Sequence, residues 1–427
     1  MLHRGAMRKR KVFMGDMEWL YKLEGFGDSR SFYYRAYIGL ILTWNFTIAY
    51  LSLYSTYYVL PDKDRALDCF HILLCAMFGT WGIFTRLLTR RYVDLSRKVV
   101  ESGFYTYPEQ ERESERLEAE VPIVVARLNK QFALMMSLGA YFNFLLFPAL
   151  QLFLWSSGAD IENGVAKEAN PFLPHWLYLP WDYRTPFGFL GAWVVHVIAY
   201  FYTYGVAIAM NNTTMNLLIS LLYQLKILNH SILHVRDRAR ALYRSRYGSR
   251  PQDERSPAFQ DCLLECLRHN IRHHQLLVRF HKTSAPFVGS CCLVIFLMAP
   301  PIFATIAYVI MKKQPINLLI SYMAQLFSEL VYTFNMCHWG EKLAKESGEI
   351  FESLYSVDWP EFAGPRVSRT IRVFRLSTRR PMIFKCLLLD FNASLGSYAE
   401  VMSMMYKIIS VIRTSDSKNF RLGHTLK

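Results

Sequence analysis

Three ionisable side chains interrupt one otherwise uncharged, apolar run near the end of this sequence. Asp390, Glu400 and Lys407 all lie within 386–412. Charged groups in such a run usually face water or a partner side chain. A carboxylate there could attract cations, so Glu400 is a candidate for an ion pathway, and a structural ion pair is the alternative. A set of mixed charges is also compatible with a secondary transporter, whereas Lys407 could simply extend toward a water interface.

Cysteine and histidine side chains form a second group with chemical potential. Cys262, Cys266, His269, His273 and His274 fall within four turns of a predicted helix. Their spacing matches no standard zinc site, because residues at i and i+4 supply at best part of one. The sequence also contains no glycine-rich phosphate loop and no nucleophile–base arrangement. We therefore predict no metal, no cofactor and no enzymatic activity.

The composition excludes most soluble classes of protein. Hydrophobic residues make up 52% and aromatic residues 15% of the 427 positions, and charged residues only 19%, against roughly 25% in soluble chains. Disordered and coiled-coil proteins are more polar or more repetitive. Eight cysteines are too few for a disulfide-built scaffold. The chain is predicted to lie in a membrane.

Seven runs have the length and apolar character needed to cross a bilayer, which takes roughly 20 residues as a helix. We predict an all-α membrane protein with seven transmembrane helices. The run 185–225 is twice the required length without a turn signal, so we expect one helix that projects beyond the membrane. The predicted spans are 36–60, 66–85, 131–158, 185–225, 283–311, 314–340 and 386–412.

The basic residues are distributed unequally between the two sides of these spans. The segments on one side together carry +15, and those on the other side only +3. Because cytoplasmic loops are enriched in Lys and Arg, we predict a cytoplasmic N-terminus and an extracellular C-terminus. That orientation, with no Asp-Arg-Tyr motif after the third span, argues against a G-protein-coupled receptor. The basic segments are 1–35, 86–130, 226–283 and 341–385.

Helical patterns continue past the membrane on the predicted cytoplasmic side. We predict a charged helix at 108–127 and a loose basic linker at 236–250. Three further stretches extend or precede the later spans, and isolated helices of such length are marginal in water. We therefore expect a packed cytoplasmic bundle that anchors the spans. Those stretches are 259–279, 340–355 and 367–378.

The last part of the chain carries recognisable motifs. CHWGEKLAKESGEIFESLYSVDW, with Cys337, Gly340, Ser347, Tyr355 and Trp359, resembles the signature that joins helices six and seven of insect odorant receptors. STRRPMIF resembles the family's basic-then-proline turn into the last helix, and SYAEVMSMMYKIISVIR resembles its closing helix. The chain departs from many members at Lys407 and at two isoleucines, where aromatic residues are common. It also lacks the long second-loop insertion of the co-receptor.

The resemblance implies an odorant-binding, ligand-tuning subunit of a non-selective cation channel. Such a subunit would form a heterotetramer with the odorant receptor co-receptor around one pore, in the plasma membrane of olfactory neurons. Its other partners would be a small volatile apolar ligand and the lipid bilayer, with no nucleic acid. The expected regions are 1–35 as a cytoplasmic segment, 36–335 as helices one to six, 336–385 as the anchor, 386–412 as the pore-lining helix and 413–427 as the extracellular tail.

The resemblance also implies where the gate and the ligand pocket lie. For the gate we predict Ile408, Val411 and Ile412, which could close a pore by dewetting or could merely pack on neighbouring helices. The pocket is expected among spans two, three, four and six, lined by apolar and aromatic side chains with few polar groups. His196 could bond a carbonyl-bearing odorant or could instead make an ordinary hydrogen bond between helices. The predicted pocket residues are Phe70, Leu73, Tyr141, Phe142, Phe144, Phe189, Trp193, His196, Tyr200, Ser321, Tyr322 and Gln325.

Two alternatives remain open at this stage. A gustatory receptor channel has the same topology, but it could form homomers and bind polar tastants. A secondary transporter is the less favoured alternative, because such proteins usually show broken paired helices or inverted repeats, and neither is evident in the sequence.

Overall fold

The computed structural model describes residues 31–60, 62–105, 107, 111–141, 145–157, 173, 177–182, 185–248, 253–311 and 316–425. Within these ranges the chain is helical and has no strand, apart from one isolated bridge between Lys385 and Asn392. The helices are α1 Phe32–Tyr58, α2 Lys63–Ser102, α3 Glu111–Tyr141, α4 Phe147–Ser156, α5 Pro186–Leu233, α6 Val235–Tyr247, α7 Pro257–Met311, α8 Ile316–Ser356, α9 Trp359–Phe362, α10 Pro365–Thr378 and α11 Leu395–Thr425.

Within the described ranges, four helices are long and apolar enough to cross a membrane by length and composition: α1, the Ala66–Ser102 part of α2, α5 and α7. The prediction of one continuous helix from 185 to 225 is confirmed, since α5 runs for 48 residues. Thr185 caps its N-terminus by accepting a hydrogen bond from the Gly188 N–H, and Pro186 occupies a first-turn position where no N–H is needed.

The third predicted span is described in two pieces. The sequence predicted one run over 131–158, which α3 covers up to Tyr141 and α4 covers from Phe147 to Ser156. Residues 142–144 lie outside the described residues. The prediction of one unbroken helix over this span stays a prediction.

The basic run at 236–250 is a helix over most of its length, and its prediction as a loose linker is wrong. The carboxylate of Glu254 pairs with two arginines of α6, because its oxygens lie 2.6 Å from Nη2 of both Arg236 and Arg240. These bonds, led by that of Arg236, lower the pKa of Glu254. Arg238 is buried against the Tyr107 ring, 4.5 Å from its centroid, and donates to Ser231 Oγ at 2.6 Å.

The predicted extensions at 259–279, 340–355 and 367–378 are confirmed as parts of α7, α8 and α10. They pack together with α6 and α9 at one end of the bundle, called the basic end below. The His274 ring lies 5.5 Å from that of Phe374, and the Arg375 guanidinium lies over the rings of Phe351 and Tyr355. Each extension thus buries its apolar face on another, which stabilises helices that would be marginal in isolation.

The last helix begins later than predicted. Residues 382–393 form a hairpin before α11, closed by bonds from Cys386 N–H to Phe391 O at 2.8 Å and from Ala393 N–H to Phe384 O at 2.9 Å. Ser394 then accepts a hydrogen bond from the Ser397 N–H at 3.3 Å, as an N-cap residue does. The boundary at 386 is therefore wrong, and Asp390 lies exposed in the hairpin rather than in a span.

Two glycines allow this hairpin to reach the bundle. A Cβ at Gly340 of α8 would lie 2.2 Å from Ala393 O, and one at Gly289 of α7 would lie 2.7 Å from Lys385 O. The carbonyl of Gly289 also accepts a bond from the Leu387 N–H at 3.1 Å. Only a residue without a side chain permits such close approach, so these glycines determine how α11 is attached to α7 and α8.

The buried apolar side chains form two clusters. The larger one follows α2, α5, α7 and α8 through the bundle and into the basic end. The smaller one lies where α1, α2 and the first half of α5 meet the 177–182 segment, and it contains Ile48, Ile72, Leu177, Phe189 and Tyr200. This second cluster lies away from the basic end and contains part of the predicted ligand pocket.

Candidate functional site

A buried polar pair connects α2 and α8 inside the apolar bundle. The phenol of Tyr322 donates a hydrogen bond of 2.6 Å to Asp68 Oδ1. Asp68 is 9% exposed and Tyr322 is 5% exposed. Polar groups at such depth are costly unless they are hydrogen-bonded, so this pair fixes the two helices relative to each other and places polar atoms in an apolar region.

One turn further along α2, His71 joins three helices. Its Nε2 lies 2.6 Å from Gln325 Nε2 of α8, and its Nδ1 lies 3.3 Å from Thr305 Oγ1 of α7. The Thr305 hydroxyl is 3.0 Å from Pro301 O and donates to this carbonyl, so it accepts from His71. This pattern assigns the His71 proton to Nδ1 and makes Nε2 the acceptor of the amide N–H. Cys75 Sγ lies 3.5 Å from the same Nε2.

The sequence predicted half of this network and missed the other half. Tyr322 and Gln325 were expected to line the pocket, and both are buried in polar contact with α2. Asp68 and His71 were not predicted as site residues. A signal was available, because Asp68 is the one charge within 66–85 and His71 follows one turn later on the same face.

The predicted residues of span four lie in the smaller apolar cluster. Phe189 is fully buried, Tyr200 is 4% exposed, and the partly buried Trp193 packs against the cluster that contains them. His196 is buried, and its Nδ1 bonds the carbonyl of Ala192 at 2.8 Å. This bond lies within α5, whereas the alternative that the sequence left open was a bond between helices, which stays a prediction.

The 177–182 segment covers this cluster. The Tyr178 N–H donates to Ser55 Oγ at 2.8 Å, and the Tyr178 ring lies 5.2 Å from that of Tyr54. The indole of Trp181 donates to Gly188 O at 2.9 Å. These contacts join the segment to α1 and to the start of α5, so a ligand entering from that side would have to displace aromatic rings.

The remaining predicted pocket residues are more open or are not described. Phe70 is 37% exposed, Tyr141 is 48% exposed and Leu73 is half-buried. Phe142 and Phe144 lie outside the described residues, as does the side chain of Ser321. The structure therefore brings together the predicted residues of α5, and those of α8 with α2, but it does not gather the full set.

A small cleft lies between α2, α7 and α8. It has room for about one water molecule, so it does not hold an odorant. The carboxyl-bearing Glu329 lines it. The lining residues are Phe78, Ile295, Met298, Ala299, Ile302, Glu329, Tyr332 and Thr333.

The predicted pore residues occupy different faces of α11. Val411 is 70% exposed and Glu400 is also exposed, whereas Ile408 and Ile412 are half-buried. Val401, which is fully buried, and the partly buried Met405 are on the side that packs on the core. The three predicted gate residues therefore do not share one exposed stripe.

The histidines near the start of α7 hold a loop in place. His269 Nδ1 lies 2.8 Å from Tyr105 Oη, and His273 Nδ1 lies 2.9 Å from Tyr107 Oη. His273 Nε2 also lies 3.0 Å from Gln224 Oε1 of α5. Among the described residues, no group of three or more His, Cys, Asp or Glu side chains could hold a metal ion.

The sequence pattern of a known family covers most of this chain. The model of the 7tm Odorant receptor family matches residues 66–406. The chain belongs to this family. It is accordingly an olfactory receptor with a multi-pass transmembrane fold, and receptors of this family are not enzymes. The resemblance noted in the sequence is confirmed at the level of the family.

Two comparisons agree with this assignment. Odorant receptor 85c of Drosophila melanogaster is 22% identical to the receptor over 148 residues, which are 35% of this chain and 38% of that relative. The structure of the insect olfactory receptor OR5 from Machilis hrabei superposes with a TM-score of 0.71 over 92% of this chain and 97% of that chain. The structure of OR5 in complex with eugenol gives a TM-score of 0.70. At 12% identity these structures show a shared seven-helix fold and nothing finer.

The motif residues of the receptor have structural tasks. Ser347 Oγ accepts the N–H of Met382 at 2.8 Å, which attaches the start of the hairpin to α8. The indole of Trp359 donates to Leu354 O at 2.8 Å, and Cys337 is fully buried. With Gly340 they connect α8, α9 and the hairpin, so the signature marks how the last helix is anchored rather than where a ligand binds.

Proposed function

We propose that this receptor is the odorant-binding subunit of a ligand-gated, non-selective cation channel. It assembles with the odorant receptor co-receptor in the plasma membrane of olfactory neurons. The observation that carries the binding role is the buried polar network of Asp68, His71, Tyr322 and Gln325 within an apolar bundle. A few placed polar groups in apolar surroundings are what orients a small, largely apolar ligand.

The chemistry of this network favours odorants with one hydrogen-bonding group. A ligand hydroxyl could donate to Asp68 or accept from Tyr322, and a carbonyl could accept from the amide of Gln325. The Machilis hrabei receptor was solved with eugenol, which carries one phenolic hydroxyl on an apolar body. Aromatic alcohols are therefore suitable first probes for this chain. Trp193 and Tyr200 supply apolar surface on the α5 side.

Binding must be coupled to opening. A ligand opens a channel only if it binds the open form better than the closed form. In this proposal the ligand loosens the contacts between α2 and α8, and α11, which packs on α7 and α8, moves with them. Of the predicted gate residues, Val411 is the one on the open face of α11, so it is the favoured contribution to an apolar constriction.

Whole-cell current tests the proposal directly. Cells would express the receptor with and without the co-receptor while G-protein signalling is blocked, and aromatic alcohols would be applied. A fast current that reverses near 0 mV only with the co-receptor is expected. Current from the receptor alone would instead favour a homomeric channel of the gustatory type. Absence of current at confirmed surface expression, together with saturable ligand uptake, would contradict the channel function and favour a transporter.

A further inference from the structure

The two faces of α11 differ in what they contact. Val401 is fully buried, and Met402 and Met405 pack against the core that α7 and α8 supply. Glu400 and Lys407 are exposed on the opposite side. The helix is thus attached along one face and open along the other.

The open face is a continuous stripe with polar and charged members. Its residues follow one another at intervals of three or four, which places them above each other on a helix. Two of them carry charge, two carry hydroxyl groups, and one is the apolar Val411. The stripe consists of Gly396, Glu400, Ser403, Lys407, Val411 and Thr414, all exposed.

The position of Lys407 along the helix decides what this stripe faces. Lys407 follows Leu395, the first residue of α11, by about 18 Å at the rise of an α-helix. Lys407 therefore lies well inside the helix and within the apolar run 386–412. A charged group in such a run is unfavourable against lipid and normally faces water or a partner group.

We propose that this stripe borders the ion path and that Lys407 determines which cations pass. The inference rests on the channel function proposed above and adds a selectivity residue to it. The Coulomb energy between a fixed charge and an ion scales with the charge of the ion. The ammonium of Lys407 therefore repels a divalent cation twice as strongly as a monovalent one. Glu400 lies two turns earlier on the stripe and attracts cations from the side of the hairpin.

Cysteine accessibility tests the position of the stripe. All eight native cysteines are buried, so the receptor itself supplies a low background for thiol reagents. A cationic methanethiosulfonate reagent would be applied during odorant-evoked current to Lys407→Cys co-expressed with the co-receptor. Met402→Cys, on the packed face of the same helix, is the matched control, and the wild-type heteromer reports reaction at the co-receptor. Modification should change the current of Lys407→Cys alone.

Ion selectivity tests the role of the charge. With external Ca²⁺ and internal Na⁺, Lys407→Gln should raise the Ca²⁺ to Na⁺ permeability ratio by about two- to fivefold, seen as a positive shift of the reversal potential. Lys407→Arg should keep the wild-type ratio. Lys98→Gln removes an exposed charge at the basic end of α2 and should also keep the wild-type permeability ratio.

The outcomes separate this inference from the channel function. Suppose that Lys407→Gln gives an odorant-evoked current with the wild-type Ca²⁺ to Na⁺ permeability ratio, and that the thiol reagent has no effect on Lys407→Cys. These two results together would show that the stripe faces lipid or a neighbouring helix. That result overturns the inference and leaves the channel function standing. Absence of current from the wild-type heteromer would contradict both. If Lys407→Cys does not reach the surface, Ser403→Cys on the same stripe carries the accessibility test.

Discussion

The Tyr322 hydroxyl and the Asp68 carboxyl are 254 positions apart in the chain and 2.6 Å apart in the bundle. Their bond joins α2 to α8, and it lies one turn from the contact between His71 and Gln325. Because both pairs connect the same two helices, a ligand that competes for either one would alter how α2 and α8 pack. This coupling is the physical basis of the first two predictions.

Tyr322→Phe removes one hydroxyl and keeps the ring. Asp68 then loses a buried donor, which costs about 1–3 kcal/mol if nothing replaces it. We expect lower surface expression and a changed rank order among odorants that carry a hydroxyl, measured as concentration–response curves in heteromeric channels. Tyr355→Phe removes an exposed hydroxyl at the basic end and should leave the rank order intact. If Tyr322→Phe and Tyr355→Phe both keep the wild-type rank order of odorants, Tyr322 takes no part in ligand recognition.

A double-mutant cycle measures the bond between His71 and Gln325. His71→Ala and Gln325→Ala should be non-additive by about 0.5–3 kcal/mol in the free energy of unfolding, because each change removes the same contact. The readout is thermal unfolding of purified receptor in detergent. As a control, His71→Ala is combined with Asn229→Ala, whose amide bonds Glu346 in a separate set of contacts. Additivity of the first pair would contradict the assigned bond.

Trp193→Ala removes aromatic surface from the smaller apolar cluster. We expect it to shift the half-maximal concentrations of bulky aromatic odorants about tenfold or more relative to small ones, since burying a large side chain contributes roughly 1.5–3 kcal/mol. Maximal current should change less than this rank order. Phe187→Ala, which removes an aromatic ring at an 88% exposed position of the same helix, should leave the rank order of odorants unchanged. Equal effects of both variants would place the ligand elsewhere.

Gly340→Ala should loosen the attachment of α11. The new Cβ would meet Ala393 O at 2.2 Å, so the hairpin has to move, and overpacking of this kind costs roughly 1–3 kcal/mol. Gly348→Ala, on the same helix with open space around its Cβ position, should instead raise stability by about 0.5–1 kcal/mol. Unfolding temperatures of the two purified variants should move in opposite directions. A Gly340→Ala receptor as stable as the wild type would refute the close approach.

Glu254→Gln should destabilise the basic end in a pH-dependent way. Hydrogen bonds from Arg236, and then from Arg240, lower the pKa of Glu254. The ionised carboxylate therefore contributes to the free energy of unfolding at pH values above the usual carboxyl pKa, and this contribution is lost as the pH falls through the lowered pKa. These arginines are about one third exposed, so roughly 0.5–1 kcal/mol is expected. The difference in unfolding temperature from wild type should be constant between pH 6 and 8 and should narrow below about pH 4. Asp237→Asn, at a more exposed partner of Arg240, should have a smaller effect.

Some features of the fold depend on properties that are summed over many consecutive residues. Apolar length is one of them: the 41 uncharged residues of 185–225 contain no turn signal, and α5 runs through them as a single helix. The same reasoning failed at Ser394, because a side-chain cap begins the last helix there and not at 386. The prediction of a solvated linker failed at α6, where two of the arginines pair with Glu254, which lies beyond the helix.

The sequence by itself determined the helical membrane class, the inequality of charge between the two sides and the family, because hydropathy, charge and motif spacing are local quantities. The tertiary structure decided which face of each helix is buried. Tyr322 and Gln325 turn toward α2, and Ile408 turns away from the stripe of Lys407, because helices far apart in the chain compete for the same apolar contacts. A single helix presents all of its side chains equally to its surroundings, and only the neighbours that pack on it make one face differ from another.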